Sequence, residues 1–139
     1  MNSLAGRVAF ITGVARGQGR SHAVRLASEG ADIIGVDICA DIEANGYPMA
    51  SRAELDETVA LVEAAGAKMH AAVADVRDFH ALKSVLDAGV EQFGRLDIVC
   101  ANAGIAPTAF REVSIEEDLD MWSAVIDVNL NGTFHTAKA

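Results

Sequence analysis

VAFITGVARGQG, residues 8–19, is the stretch that decides the fold, because an apolar run ends inside it and three glycines follow. The apolar run is typical of a buried strand, and residues 21–27, SHAVRLA, space their apolar side chains at helical intervals. The glycines therefore lie in the turn from a strand into a helix. Because the first amides of a helix carry unpaired N–H groups and partial positive charge, this glycine-rich turn predicts a phosphate-binding site.

The rest of the chain repeats the alternation of strand and helix. Apolar runs at 31–37, 68–74 and 96–100 predict three further strands, and the segments between them predict helices. Parallel strands joined by right-handed helical crossovers form a Rossmann-type, doubly wound α/β sheet. We therefore expect one incomplete domain over residues 1–139, with about four strands and a long helix after the fourth.

Local signals predict the ends of the helices. Gly30, Gly66 and Gly94 each follow an apolar helical stripe, where glycine commonly ends a helix. Ser51 and Ser114 each stand three residues before a glutamate, the spacing of a capping box. Residues 38–50 have no period and contain Asn-Gly and a proline, so they predict a long loop, either a flap over a cofactor or a tolerated surface insertion.

Composition excludes several classes of function. The net charge is −9, and the eleven basic residues are scattered, so we expect no nucleic-acid surface. Residues 1–6 lack a basic segment and the next apolar run is short, which predicts no signal peptide and no membrane span. The two cysteines have no paired spacing and predict free thiols in the cytoplasm. The four histidines lack metal-ligand spacing, so no metal site is expected.

Asp37 ends the second predicted strand about 20 residues after the glycines. Dinucleotide-binding folds place an acid there to accept hydrogen bonds from the adenosine ribose, and its charge would repel a 2′-phosphate. The sequence therefore favours NAD over NADP. An ordinary strand-end acid facing water is the alternative.

The whole chain resembles the short-chain dehydrogenase/reductase family. The resemblance rests on the spacing Thr12-Gly13-x-x-x-Gly17-x-Gly19 and on the tripeptide at 102–104, Asn-Ala-Gly. The loop at 38–50 and the stretch 16–22, RGQGRSH, resemble the carveol-dehydrogenase-like, mycofactocin-associated branch. The resemblance implies that this loop covers a tightly held NAD.

The resemblance implies a set of cofactor contacts. It assigns the adenine amino group to Asp75 and the adenine ring to Val76, and Asp78, a better helix cap, leaves Asp75 free for the ligand. Arg16 stands where members that prefer NADP often carry a base, and the acid at 37 outweighs it. The implied contacts with the cofactor are Gly13, Ala15, Arg16, Gly17, Gln18, Gly19, Asp37, Ile38, Asp75, Val76, Asn102, Ala103 and Gly104.

Asn129, Asn131 and Gly132 interrupt the apolar pattern of the long last helix. A glycine there costs about 1 kcal/mol relative to alanine, which indicates a functional constraint. The resemblance implies that Asn129 belongs to a catalytic tetrad and holds a water that links the catalytic lysine to solvent. A kinked buried helix whose asparagine bonds to backbone is a further interpretation, compatible with the first.

The groups that transfer protons in the family are absent from these residues. Tyr47 is the only tyrosine, and no lysine stands four residues after it. We therefore expect the cofactor-binding half of a longer NAD-dependent oxidoreductase, inactive alone, that moves hydride between a small hydrophobic secondary alcohol and its ketone. Residues 105–112 would form one wall of the substrate site, and a homotetramer is implied by resemblance. The alternative is a non-catalytic NAD-binding module or sensor.

Overall fold

The computed structural model describes residues 3–107 and 112–139. Strands and helices alternate along the chain as predicted up to the fourth strand, and a long irregular helix follows. The elements are β1 (Val8–Thr12), α1 (Gly17–Ser28), β2 (Asp32–Asp37), a 3-10 turn (Glu43–Asn45), α2 (Arg52–Ala64), β3 (Met69–Val73), α3 (Phe79–Phe93), β4 (Ile98–Cys100), α4 (Ile115–Val125), a π-helical segment (Ile126–Asn131) and α5 (Gly132–Lys138).

The four strands form one parallel sheet in the order β3-β2-β1-β4. All five residues of β1 are buried, as the centre of a sheet covered on both faces requires. The carboxyl ends of β1, β2 and β4 therefore meet at one edge, where the loops that follow them converge. The predicted doubly wound α/β fold is confirmed.

Two apolar clusters cover the two faces of the sheet. On one face, side chains of α1 and α2 such as Ala23 and Leu55 pack with Ile11 and Ile33 of the central strands. On the other face, side chains of α3 and of the last helix pack around Phe10 and Ile34. The sheet is thus held rigidly between helices, which fixes the positions of the loops at its carboxyl edge.

The predicted helix ends are confirmed, and the strands are slightly shorter than predicted. Gly30, Gly66 and Gly94 adopt left-handed backbone angles just after α1, α2 and α3. Ser51 and Glu54 form a reciprocal capping box. At Ser114 the hydroxyl accepts the Glu117 N–H, which is the first half of such a box.

The fourth strand begins two residues later than predicted because Asp97 is occupied in a polar network. Its carboxylate accepts hydrogen bonds from Arg95, from Arg7 and from the backbone N–H of Val8. The hydrogen bonds from Arg95, reinforced by one from Arg7 and one from the Val8 N–H, hold the pKa of Asp97 well below its usual range. This network joins the starts of β1 and β4 at the edge of the sheet opposite the glycine turn.

Candidate nucleotide-binding site

A cleft of about 360 Å³ opens at the carboxyl edge of the sheet. Ten of the thirteen predicted cofactor residues line it: Gly13, Arg16, Gln18, Asp37, Ile38, Asp75, Val76, Asn102, Ala103 and Gly104. Three predicted residues, Ala15, Gly17 and Gly19, are not among its lining residues, although they belong to the same turn. The structure therefore brings the predicted set together around one space.

The glycine turn leaves the start of α1 open to an anion. Arg16, the residue before the helix, provides no side-chain cap, and the first turn contains no acidic residue. Gly13 has a φ of +69°, and a Cβ there would lie 2.8 Å from the Cα of Ala103. The first amides of α1 therefore keep the unpaired N–H groups and positive potential that bind phosphate.

Asp37 lies beside this turn and is only 7% exposed. One carboxylate oxygen accepts the N–H of Ala15 at 3.0 Å, and the other accepts the N–H of Cys39 at 3.2 Å. Each oxygen keeps a further lone pair, and the residue lines the cleft. The interpretation of Asp37 as a strand-end acid facing water is therefore wrong.

Arg16 is directed toward the long loop. Its Nη2 donates to the carbonyl oxygen of Pro48 at 2.6 Å, and its Nη1 lies 4.0 Å from a carboxylate oxygen of Glu54. From the same loop the hydroxyl of Tyr47 accepts the N–H of Ala106 at 3.4 Å on the opposite wall. The loop thus contacts both sides of the cleft and lines part of it.

Asp78 caps α3, as predicted, and Asp75 lines the cleft, but the carboxylate of Asp75 is already paired within the chain. Arg77, two residues later, donates to both of its carboxylate oxygens through Nε and Nη2, and its backbone N–H donates as well. Partial burial raises the pKa of Asp75, but the hydrogen bonds and charge of Arg77 outweigh it and hold the pKa below its usual value. The sequence argument concerned the helix cap alone and did not reveal the pairing with Arg77, so the contact of Asp75 with a ligand stays a prediction.

The tripeptide at 102–104 ties the ends of β1 and β4 together. The Thr12 hydroxyl accepts the N–H groups of Asn102 and Ala103, each at 3.1 Å. In return the Asn102 side chain donates to the carbonyls of Thr12 and Gly13. Asn102 therefore holds the first glycine of the turn in place and links the carboxyl ends of two neighbouring strands.

Asn129 lies in the π-helical segment and clamps the loop after β4. Its Oδ1 accepts the N–H of Ile105 and its Nδ2 donates to the carbonyl of the same residue, both at 2.8 Å. The expected bonding of this asparagine to backbone is confirmed, but the segment around it is π-helical and largely exposed rather than buried. The catalytic role of Asn129 stays a prediction, and the loop wall at 105–112 lies partly outside the described residues.

Sequence reasoning missed two residues that hold the glycine turn without lining the cleft. Arg20 and Thr58 both donate hydrogen bonds to the carbonyl of Ala15. The available signal was Thr58 itself, a hydroxyl on the apolar stripe of α2 between Leu55 and Val62. A fully buried hydroxyl needs a partner, but the spacing does not reveal which one.

Other types of site are not seen in the described part of the chain. Among residues 3–107 and 112–139 no three His, Cys, Asp or Glu residues are grouped as metal ligands would be. No helix in those ranges combines the length and apolarity needed to cross a membrane. The thiols of Cys39 and Cys100 are free, and burial raises the pKa of each.

Comparison with known proteins agrees with this geometry. A family model described as "short chain dehydrogenase" matches residues 7–139. The chain is 50% identical over 138 residues to (-)-trans-carveol dehydrogenase of Rhodococcus erythropolis, covering 99% of this chain and 49% of that protein. It is 53% identical over 139 residues to an uncharacterized NAD-dependent oxidoreductase of Mycobacterium tuberculosis, again covering 99% of this chain and 49% of that protein.

A solved structure gives the same result. The crystal structure of carveol dehydrogenase from Mycobacterium avium in complex with NAD is 51% identical, with a TM-score of 0.89, and the match covers 99% of this chain and 49% of that one. The chain thus spans about half the length of the relatives it matches. Because the family model matches nearly the whole chain, the protein belongs to the short-chain dehydrogenase family.

Proposed function

We propose that this protein binds NAD and forms the cofactor-binding part, residues 1–139, of an oxidoreductase that moves hydride between a secondary alcohol and its ketone. One observation carries the proposal: an uncapped helix start, which follows the glycine turn, and a buried carboxylate lie at the same cleft. The relatives named above, which act on carveol or use NAD by their names, support it. NAD, when bound, supplies the carbon that accepts the hydride.

The residues of the chain divide the work of binding. The first amides of α1 would receive the diphosphate, and Asp37 would accept hydrogen bonds from the hydroxyls of the adenosine ribose. Val76 and Ile38 would pack beside the adenine, and the backbone at 102–104 would approach the second ribose. Asp75, held by Arg77, would offer its remaining lone pairs to the adenine amino group.

The arrangement also favours NAD over NADP. The Asp37 carboxylate would repel a 2′-phosphate in a site with little solvent to screen it. Arg16 would have to leave the Pro48 carbonyl to neutralise such a phosphate. The loop at 38–50 would then serve as the flap over the adenosine end of the cofactor.

The finer parts of the proposal concern the substrate, the assembly and the location. A small hydrophobic alcohol or ketone is the expected substrate, as the name of the Rhodococcus relative suggests. A homo-oligomer, a tetramer by resemblance, would cover the apolar side chains that α4 and α5 expose. Two free thiols suit the reducing cytoplasm.

The experiment measures nucleotide affinity by calorimetry for the unaltered protein and for Asp37→Asn. We expect Asp37→Asn to weaken NAD binding about tenfold or more, because the ribose hydroxyls would lose a charged acceptor. The ratio of the affinity for NAD to that for NADP should also fall, because the charge that repels a 2′-phosphate is removed. Asp87→Asn, on the exposed side of α3, is the control and should leave both affinities unchanged. An unaltered protein that fails to bind NAD would contradict the proposal.

A second candidate is an NAD-binding module without catalysis. It is favoured by Tyr47, the single tyrosine of these 139 residues, because its hydroxyl is engaged with the backbone N–H of Ala106. Turnover of NAD with a panel of hydrophobic alcohols and an artificial electron acceptor, measured on the protein as its whole coding region specifies it, separates the two. Tight NAD binding with no turnover would favour the module.

A further inference from the structure

We propose that Arg20, together with Thr58, is a positioning residue for the diphosphate: it orients the peptide unit between Ala15 and Arg16 so that the Arg16 N–H faces the cofactor. The inference rests on the proposed binding of NAD and adds residues that do not line the cleft. Arg20 lies in the second turn of α1 and Thr58 on the buried side of α2.

The contacts converge on one carbonyl. Arg20 donates to the Ala15 oxygen from Nε at 3.1 Å and from Nη2 at 2.7 Å. The Thr58 hydroxyl donates to the same oxygen at 2.9 Å. Ala15 and Thr58 are both fully buried, so these hydrogen bonds are little weakened by competing water.

The planar geometry of the peptide unit relates the direction of the Ala15 carbonyl to the direction of the Arg16 N–H. In a planar trans peptide the carbonyl of one residue and the N–H of the next point in opposite directions, and the chain contains no cis peptide bond among its described residues. With the Ala15 carbonyl held toward α2, the Arg16 N–H is directed away from α2. Arg16 borders the cleft, and in this proposal its N–H is the donor that faces the diphosphate.

The same residue is also fixed at its other end. The N–H of Ala15 donates to Asp37, the carboxylate proposed to hold the ribose. Ala15 is therefore fixed by the ribose acid on one side and by Arg20 on the other. A single short segment would then set the distance between the sugar and the diphosphate sites.

A guanidinium is required because several acceptors lie around it. Besides the Ala15 carbonyl, Nη2 donates to the Glu54 carbonyl at 2.9 Å, and Nε donates to the Thr58 hydroxyl at 3.0 Å. Nη1 pairs with Glu57, whose side chain is 58% exposed and contributes little. A lysine ammonium cannot reach all of these acceptors from one position.

The experiment compares ligands that contain a diphosphate with one that lacks it. Binding of NAD and ADP-ribose is measured by calorimetry and binding of adenosine by NMR titration, on the full-length protein and on Arg20→Lys and Thr58→Val. Urea unfolding of each variant is recorded in parallel. Arg25→Lys, an exposed residue of the same helix that pairs with Glu29, is the control.

We expect Arg20→Lys to weaken NAD and ADP-ribose binding about tenfold and to change adenosine binding less than twofold. Thr58→Val should act in the same direction and more weakly. Added ethylguanidinium should restore NAD affinity to Arg20→Ala. Arg25→Lys should change none of these affinities.

Equal losses for adenosine and NAD, or unchanged NAD binding in Arg20→Lys and Thr58→Val, would overturn the positioning role while leaving the proposed function intact. An unaltered protein that binds no NAD would overturn both. If Arg20→Lys does not fold, Thr58→Val, which keeps the shape of the side chain, decides the question by the same comparison of ligands.

Discussion

At the residue scale, the three glycines of the first turn differ in what a side chain would meet. Gly17 has a φ of +56° and open space around it, so only its backbone angle requires glycine. At Gly19 a Cβ would run into the carbonyl of Gly13, so contact requires glycine. The sequence shows the same residue at both positions and cannot distinguish a need for an angle from a need for space.

Gly17→Ala should cost about 1–2 kcal/mol of the free energy of unfolding, because alanine tolerates the left-handed region poorly. Gly66 has the same open space and a φ of +92° at the end of α2, so Gly66→Ala is the matched control. Urea unfolding should give similar costs for the two variants, whereas calorimetry with NAD should show weaker binding only for Gly17→Ala. Weaker binding in both would contradict a local role for the turn.

Asp97 makes the free energy of unfolding depend on pH at acid values. Its pKa is lowered in the folded protein, so its contribution is present above the unfolded pKa of about 4 and is lost as pH falls toward the folded pKa. The Asp97→Asn variant should therefore be less stable than the unaltered protein at pH 7. On acidification its free energy of unfolding should fall less than that of the unaltered protein. Urea unfolding from pH 7 to pH 3 measures this, with Asp87→Asn as the control, and parallel curves for Asp97→Asn and the unaltered protein would contradict it.

At the scale of elements, the sequence predicted the features that depend on neighbouring residues. It missed the features that depend on residues far apart in the sequence. The caps of α2 and α3 depend on residues within one turn, and they appear as predicted. The π-helical segment was visible only as an interruption, because its geometry also reflects the clamp between Asn129 and Ile105. Arg20 and Thr58 meet across 38 positions of sequence, which no spacing rule detects.

Gly132, the first residue of α5, has a packing reason that the sequence did not reveal. A Cβ there would lie 2.5 Å from a methyl group of Val76, so the Gly132→Ala substitution should destabilise the fold although alanine favours helix by about 1 kcal/mol. Adding Val76→Ala to the Gly132→Ala variant should recover part of the lost free energy of unfolding. Urea unfolding of both single variants and the double variant measures the coupling, and strictly additive effects would contradict the contact.

At the scale of the whole molecule, one side is much less covered than the other. Among the described residues β4 is an edge strand, and Val99 within it is 46% exposed. Along the last helix, Ile115, Leu119, Trp122, Leu130 and Phe134 form an exposed apolar stripe. Several large apolar side chains exposed along one helical stretch commonly belong to a protein interface.

Leu119→Glu should weaken self-association, because a carboxylate in an apolar contact must lose its water. Sedimentation velocity over a range of concentrations measures the mass of the assembly. Leu61→Glu, the same change at an exposed leucine of α2 away from the stripe, is the control and should leave the mass unchanged. An unaltered mass for Leu119→Glu would contradict the proposed oligomer.

Trp122, the only tryptophan of the chain, lies on that stripe with two thirds of its surface exposed. The emission maximum of Trp122 should therefore lie at long wavelength when the protein is not self-associated. It should shift to shorter wavelength when another surface covers the indole. Chemical unfolding would hardly change this emission wavelength, because the indole is already exposed in the folded chain. Intrinsic emission would thus report assembly, and circular dichroism would be needed to follow folding.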